Sequence, residues 1–303
     1  MNILLIAGGW SPEREISLIG AAAVRDALVR RGHRVTSYDL SDGFESLLEL
    51  AASHDAAFLN LHGAPGEDGL VQALLDRAGC PYQGSGPAGS FLALHKSAAK
   101  SLFRRAGLST PDWIFLPERP APGWEPRYPL FVKSDTGGSS LHLYRVRNGE
   151  ELQCAMDRLF ASGQTVLIEP LIRGREATCG VLERGGRAEA LPPVLIVPKH
   201  EFFDYHAKYT DAGECEICPA PLPEALLEEV RKTALEAHRC LGLTGYSRTD
   251  FILGDDGAVH VLEVNTLPGM TPASLVPKEA AALGMDFGEL LEVLLKEAVL
   301  RGK

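Results

Sequence analysis

Four side chains give the first indication of chemistry. Arg248 and Asp250 lie in SRTDFIL (247–253), and Glu263 and Asn265 in VHVLEVNTLPGM (259–270). Each pair is spaced by two, so on an extended strand both members project from one face. Two carboxylates and an amide on neighbouring strands offer oxygen ligands suited to a hard divalent cation. Asp255-Asp256-Gly257 between the runs is a tight-turn sequence, and an antiparallel hairpin would bring Asp250 against Glu263 and Asn265. The plain alternative is a solvated acidic hairpin, since exposed carboxylates are common. The apolar residues around these acids read as buried strands, however, so the embedded carboxylates need partners. A second group starts at Lys133, which ends an apolar run and precedes SDTGGSS (134–140). Free backbone N–H groups and hydroxyls after a strand lysine suit phosphate, and an ordinary flexible hairpin is the alternative. Residues 199–219 lack clear periodicity but hold Phe202, Phe203, Tyr205, Lys208 and Tyr209. A long loop of that kind inside a compact chain is usually functional, and reads here as a lid.

The elements that must position these groups can be read along the chain. Residues 2–7 form an apolar strand run ending at Gly8-Gly9. Ser11, Pro12, Glu13 and Glu15 mark a helix start, with Ser11 as the N-cap and Gly32 as the stop. A strand at 35–40, a short helix at 44–52 and a strand at 56–61 complete a parallel α/β layer. Loops at the carboxyl ends of such strands bind ligands, which points to 8–13 and 62–68. Helices are expected at 68–79, 88–106 (carrying Lys96), 149–161, 222–241 and 284–299, and strands at 166–169, 176–183 and 188–197. GSGPAG (84–89) matches GxGxxG but lies late in the α/β unit, with no suitably placed βαβ and acidic residue after it, so it reads as a linker.

Composition narrows the class. The 303 residues, 45% hydrophobic and 23% charged, are enough for two or three domains of a globular protein. A formal net charge of −10 argues against a phosphate-backbone-binding surface and hence a nucleic-acid partner. No apolar run approaches a membrane span, and MNILLIAGGW has no basic n-region of a signal peptide. Six cysteines are scattered, and the single CxxC, Cys215 and Cys218, reads as structural or incidental. A cytoplasmic protein with reduced thiols is expected.

Taken together, GGWSPEREISL (8–18), LHGAPGEDG (61–69), Lys133 with GGSS (137–140), FDYHAKY (203–209), SRTDFIL and LEVNTLPGMTPASLVP (262–277) resemble the D-alanine–D-alanine ligases of the ATP-grasp superfamily, over nearly the whole chain. The resemblance implies an α/β fold with a Rossmann-like N-terminal domain (1–95) followed by a two-part ATP-grasp fold, 96–178 and 179–303, the latter with a lid at about 199–220. It implies ligation of two D-alanines with ATP through an acyl phosphate, for peptidoglycan precursor synthesis. It also implies two Mg²⁺ (or Mn²⁺) held by Asp250, Glu263 and Asn265, and a homodimer. Lys96, Lys133, Glu169, Glu176 and Lys208 would contact ATP. Arg248 and the Gly269 N–H would stabilise the tetrahedral oxyanion. Glu13 would pair with the first D-alanine's ammonium, with His62 near its carboxylate and Ser139 and Tyr209 tying the lid to Glu13. Ser274 and Leu275 would receive the second substrate's carboxylate. The chain departs from the family pattern at 134–136, at Leu141-His142 and at Pro170-Leu171, all in the central ATP-binding part. Three other readings stay open: a relative using D-lactate or D-serine as second substrate, a nucleotide-binding relative that ligates nothing, and a dinucleotide oxidoreductase resting on GSGPAG. Tyr209 favours the dipeptide product over the first.

Overall fold

The computed structural model describes residues 1–120, 124, 126–137, 142–197 and 216–302. It is a mixed α/β molecule whose described strands form three sheets. In the first, β1 (Asn2–Ala7) lies between β2 (Arg34–Asp39) and β3 (Ala56–Asn60), all parallel, as the alternating strand and helix pattern requires. Helix α1 (Arg14–Arg30) follows β1, and α2 (Phe44–Ala51) and α3 (Leu70–Ala78) complete this layer. Gly8 ends β1 at φ +71°, and a side chain there would fall 2.4 Å from Asp39 Oδ1. Only glycine fits that turn, and it lets Asp39 accept from the Gly9 N–H at 3.0 Å.

The second sheet is antiparallel and central: β4 (Ile114–Leu116), β7 (Val166–Pro170), β5 (Leu130–Ser134) and β6 (Leu143–Val146) pair in that order, backed by α6 (Gly149–Ala161). The third orders β11 (Glu216–Ile217), β10 (Val194–Ile196), β8 (Gly174–Arg184), β12 (Tyr246–Gly254) and β13 (Val259–Asn265), with β9 (Arg187–Ala190) pairing β8. The expected hairpin of 247–252 with 259–264 is present as β12 and β13, closed by a turn with Gly257 at φ +84°. Helices α4 (Pro87–Leu94), α5 (Lys96–Arg105) and α7 (Glu224–Cys240) cover this sheet. The C-terminal helices α8 (Leu275–Ala282) and α9 (Phe287–Arg301) pack into the core of the first layer, where Val276, Leu290 and Leu294 join Ile3, Leu5 and Phe58.

Several expected boundaries move. Ser11 does not cap α1; Glu13 occupies the N-cap, while Ser11 Oγ accepts from the Glu13 N–H at 3.1 Å in the preceding turn. The helix expected over 88–106 breaks at His95, which is extended. Asp135 causes the restart, because its backbone oxygen takes the Lys96 N–H at 3.0 Å and its carboxylate the Ser97 N–H at 2.7 Å. Pro192 and Pro193 split the strand expected over 188–197 into β9 and β10. The last helix begins at Phe287, not 284, because Asp286 and Glu289 form a reciprocal capping box there. No helix among the described residues is long and apolar enough to cross a membrane.

Candidate active site

One face of the third sheet gathers the side chains singled out by their spacing. Asp250 pairs in register with Glu263 and Arg248 with Asn265 across β12 and β13, and on the other flank Asp250 faces Thr178 and Arg248 faces Gly180 of β8. Directly opposed residues of antiparallel strands point to the same side, so all of these line one surface, with Glu176 two positions beyond Thr178. The Asp250 carboxylate is held on every side. Arg248 grips it through two bonds, Nε to Oδ1 at 2.9 Å and Nη2 to Oδ2 at 2.8 Å. Thr178 Oγ1 donates at 2.7 Å and Asn265 Nδ2 at 3.1 Å. Burial alone would lower the Arg248 pKa; the Asp250 charge overrides it and raises the guanidinium above its usual value. Glu263 forms an ion pair with Lys96 at 3.2 Å.

This donor set fits a hard cation. Among the described residues no group of three or more His, Cys, Asp or Glu forms a metal cage. Two carboxylates and an amide are nevertheless what a magnesium ion takes when substrate phosphates supply its other ligands. With its Nδ2 turned to Asp250, Asn265 keeps its amide oxygen for such an ion.

Helix α5 links this face to the central sheet. Lys96 and Lys100 lie four apart, hence on one side of the helix, and both are buried. Besides Glu263, Lys96 Nζ reaches the Gly137 carbonyl at 2.5 Å. Lys100 Nζ lies 2.9 Å from Glu169 Oε1, and Lys133 Nζ lies 2.8 Å from Glu169 Oε2. Glu169 is thus a buried carboxylate between two ammonium groups. Burial pushes its pKa up, and Lys133 and Lys100 reverse that and hold it below the usual carboxylate range. Burial brings Lys100 down to about 8 against the pull of Glu169. The loop after Lys133 departs from the free cradle of N–H groups expected of it. In its described part the Thr136 and Gly137 N–H groups bond back to Ser134 Oγ at 3.3 and 2.9 Å, because that hydroxyl sits at the turn. Pro170 ends β7 opposite Leu130, at the ladder's margin, where a missing N–H is tolerated.

The loops after β1 and β3 carry Glu13 and His62. Glu13 is 7% exposed at the first turn of α1. Glu67, in the second loop, accepts from the Gly63 N–H at 2.7 Å. Its pKa is pushed up to about 7 by burial, with the charge of Glu13 adding to the rise and the backbone N–H groups of Gly63 and Leu267 and the charge of Lys96 opposing it. Glu67 therefore ties the N-terminal loops electrostatically to Lys96 and to the segment after β13. In that segment a Cβ on Gly269 would lie 3.3 Å from Ser274 Oγ. Ser274 is the N-cap of α8 and Leu275 its first residue, yet Ser274 Oγ accepts from the Thr271 N–H at 3.0 Å and caps nothing in the helix. The Ser274 side chain thus leaves the first α8 amides uncapped.

Ser139, Lys208 and Tyr209, together with the lid expected over most of 199–220, lie outside the described residues. Three side chains at the site had no assigned role in the sequence. Glu67 stands inside a quoted motif, and Lys100 lies without remark in the helix expected over 88–106. Glu279 of α8 is fully buried, with one carboxylate oxygen on the Gly180 N–H at 2.8 Å. Burial raises its pKa well above normal against the opposing Gly180 N–H and Arg248 charge.

Comparison with known proteins bears directly on this arrangement. Residues 102–296 match the family model described as D-ala D-ala ligase C-terminus. That span holds Arg248, Asp250, Glu263 and Asn265. The chain belongs to the D-alanine–D-alanine ligase family. A D-alanine–D-alanine ligase of Desulfovibrio desulfuricans is 59% identical over 299 residues, covering 98% of this chain and 96% of that protein. The crystal structure of the Bacillus anthracis ligase superposes with a TM-score of 0.87 at 36% identity, covering 100% of this chain and 98% of that one. The same ligase complexed with ATP gives 0.86 at 33% identity, with the same coverage. The ATP-grasp fold expected for the family is therefore the fold of this chain.

Proposed function

We propose that this member of the ligase family joins two D-alanines into D-alanyl-D-alanine at the expense of ATP, for peptidoglycan precursor synthesis. The observation that carries the reading is the common face of Arg248, Asp250, Glu263 and Asn265, linked through Lys96 and Lys100 of helix α5 to Lys133 and Glu169 of the central sheet. The γ-phosphoryl of ATP passes to the carboxylate of the first D-alanine. The amine of the second attacks the acyl phosphate, and phosphate leaves from the tetrahedral intermediate.

The chain's own residues divide this work. Lys96, Lys133 and Lys208 bind phosphates, and Glu169 and Glu176 hold the adenine amino group and the ribose hydroxyls. Glu13 pairs with the first ammonium and His62 orients the carboxylate to be phosphorylated. Arg248 and the Gly269 N–H receive the oxyanion, a task for which a cation fixed by Asp250 is preorganised. Ser274 and Leu275, at the N-terminal end of α8, hold the second carboxylate. Tyr209 and Ser139 tie the lid over Glu13, excluding water that would hydrolyse the acyl phosphate. Two Mg²⁺ or Mn²⁺ on Asp250, Glu263 and Asn265 would neutralise charge on the phosphates.

The free thiols of Cys80, Cys154, Cys179, Cys218 and Cys240 support a cytoplasmic setting. A homodimer and the division into 1–95, 96–178 and 179–303 are part of the proposal, supported by the family resemblance alone. Purified protein with ATP, Mg²⁺ and D-alanine, assayed for phosphate and product mass, tests the reading. D-alanyl-D-alanine should form with one phosphate per peptide. Phosphate release only with another amino or hydroxy acid would overturn it, and a mixed product with D-lactate or D-serine in preference to the dipeptide would reassign the second substrate.

A further inference from the structure

We propose that Lys100 is a positioning residue of the nucleotide site: it is the fixed countercharge of Glu169, and it frees Lys133 to move onto the phosphates of ATP while Glu169 remains a carboxylate acceptor at the base. The inference rests on the reading of Glu169 and Lys133 as nucleotide contacts. It starts from a conflict in the ligand-free geometry. Lys133 is committed to Glu169 at 2.8 Å, yet phosphate binding asks it to face a different anion. The Glu169 side chain is only 4% exposed, so if Lys133 were its one cationic partner, releasing it would leave an uncompensated buried charge. Such a site would resist releasing Lys133, or would protonate Glu169 and change what it can accept from the base.

The second ammonium removes the conflict. The Lys100 side chain is fully buried and lies 2.9 Å from the other Glu169 oxygen. Unlike Lys133, which retains 13% exposure, it is anchored from behind. Its Nζ donates to Thr110 Oγ1 at 2.6 Å and to the Pro111 carbonyl at 3.2 Å, and Thr110 in turn donates to the Val261 carbonyl of β13 at 2.8 Å. Trp113 and Arg104 complete its surroundings. The anchor therefore runs from the base end of the site to the strand that carries Glu263. Four residues earlier on the same helix, Lys96 meets Glu263 itself. Helix α5 thus sets one lysine against the acid at each end of the nucleotide site. A lysine lowered to about 8 by burial, yet charged at neutral pH through Glu169, suits a permanent internal partner.

A plain structural staple between α5 and 110–111 would give the same contacts but a different response, and a double-mutant cycle separates the two. The full-length enzyme is prepared as Lys100→Met, Glu169→Gln and the double variant. Steady-state constants are measured for ATP and D-alanine, with calorimetric binding of a non-hydrolysable ATP analogue and the thermal midpoint of each protein without nucleotide. Lys100→Met is expected to raise KM for ATP about tenfold while KM for D-alanine stays within about twofold. Glu169→Gln should also weaken ATP binding. In that background, with no charge left to balance, Lys100→Met should add less than about threefold. Equal changes in both KM values, or the same factor on ATP with and without the Glu169 charge, would overturn the proposal. Unchanged ATP binding in Glu169→Gln would instead remove the nucleotide role of Glu169 on which it rests. If Lys100→Met does not fold, Lys100→Gln, which keeps a donor toward Thr110 without the charge, takes its place in the same cycle.

Discussion

Arg248 and Asp250 carry the proposed chemistry at the scale of single residues. A bidentate guanidinium on a carboxylate is rigid as well as charged, which is what oxyanion stabilisation needs. Replacing Arg248 with alanine should lower kcat by about 10²–10³, the usual effect of losing one oxyanion donor, with little change in KM for ATP. Steady-state phosphate release at saturating D-alanine reads this directly, and a variant at full rate would remove Arg248 from the mechanism. These residues were legible because a period of two in an apolar run leaves the polar members conspicuous. Lys100 was not, because a lysine in a polar helix stretch is normally solvated, and only the fold shows that α5 turns this one onto Glu169.

The elements around the site are held by a few specific contacts, and two of these make measurable predictions. Gly180 of β8 leaves room for the carboxylate of Glu279, and a Cβ there would lie 2.2 Å from Glu279 Oε2 and 2.9 Å from Leu191 Cδ1. Gly180→Ala should therefore destabilise the protein by about 1–3 kcal/mol, read as a lower urea midpoint. His238 of α7 is buried with Nδ1 2.8 Å from Ser247 Oγ, next to Arg248. Burial lowers its pKa from 6.5 to about 4, with the charges of Arg239 and Arg301 adding to the effect. Because the folded pKa is the lower one, the unfolded chain binds the proton first. The stability is present above pH 6.5 and is lost as the pH falls toward 4, by about 3 kcal/mol in all. Unfolding free energies between pH 4 and 7 should show that slope, and His238→Gln should flatten it. The hairpin of β12 and β13 was legible because its turn and its alternation agree. The break between α4 and α5 was not, since the cap at Ser97 comes from Asp135, 38 residues away. Sequence patterning reports local periodicity and is blind to a cap supplied from a distant loop.

For the molecule as a whole, the C-terminal helices α8 and α9 share a core with the first α/β layer, so segments from the two halves of the chain build one core. A ligand that binds only the folded chain should stabilise the whole protein. ATP with Mg²⁺ at about 100 times its Kd should add ~2.7 kcal/mol of stability, seen as a raised thermal midpoint that depends on nucleotide concentration. The parallel α/β layer at the start of the chain was readable from element order, but the packing of residues 276–298 against β1 and β3 was not, because helix periodicity does not say which sheet a helix covers. The central claim is that ligation passes through an acyl phosphate built on this face. The most direct measurement gives the enzyme D-alanine labelled with ¹⁸O in its carboxylate, together with ATP and Mg²⁺, and reads the released phosphate and the peptide by mass. Transfer of one labelled oxygen to the phosphate, with one D-alanyl-D-alanine formed for each phosphate, is the predicted result. Unlabelled phosphate, released by attack of water on ATP, would contradict it.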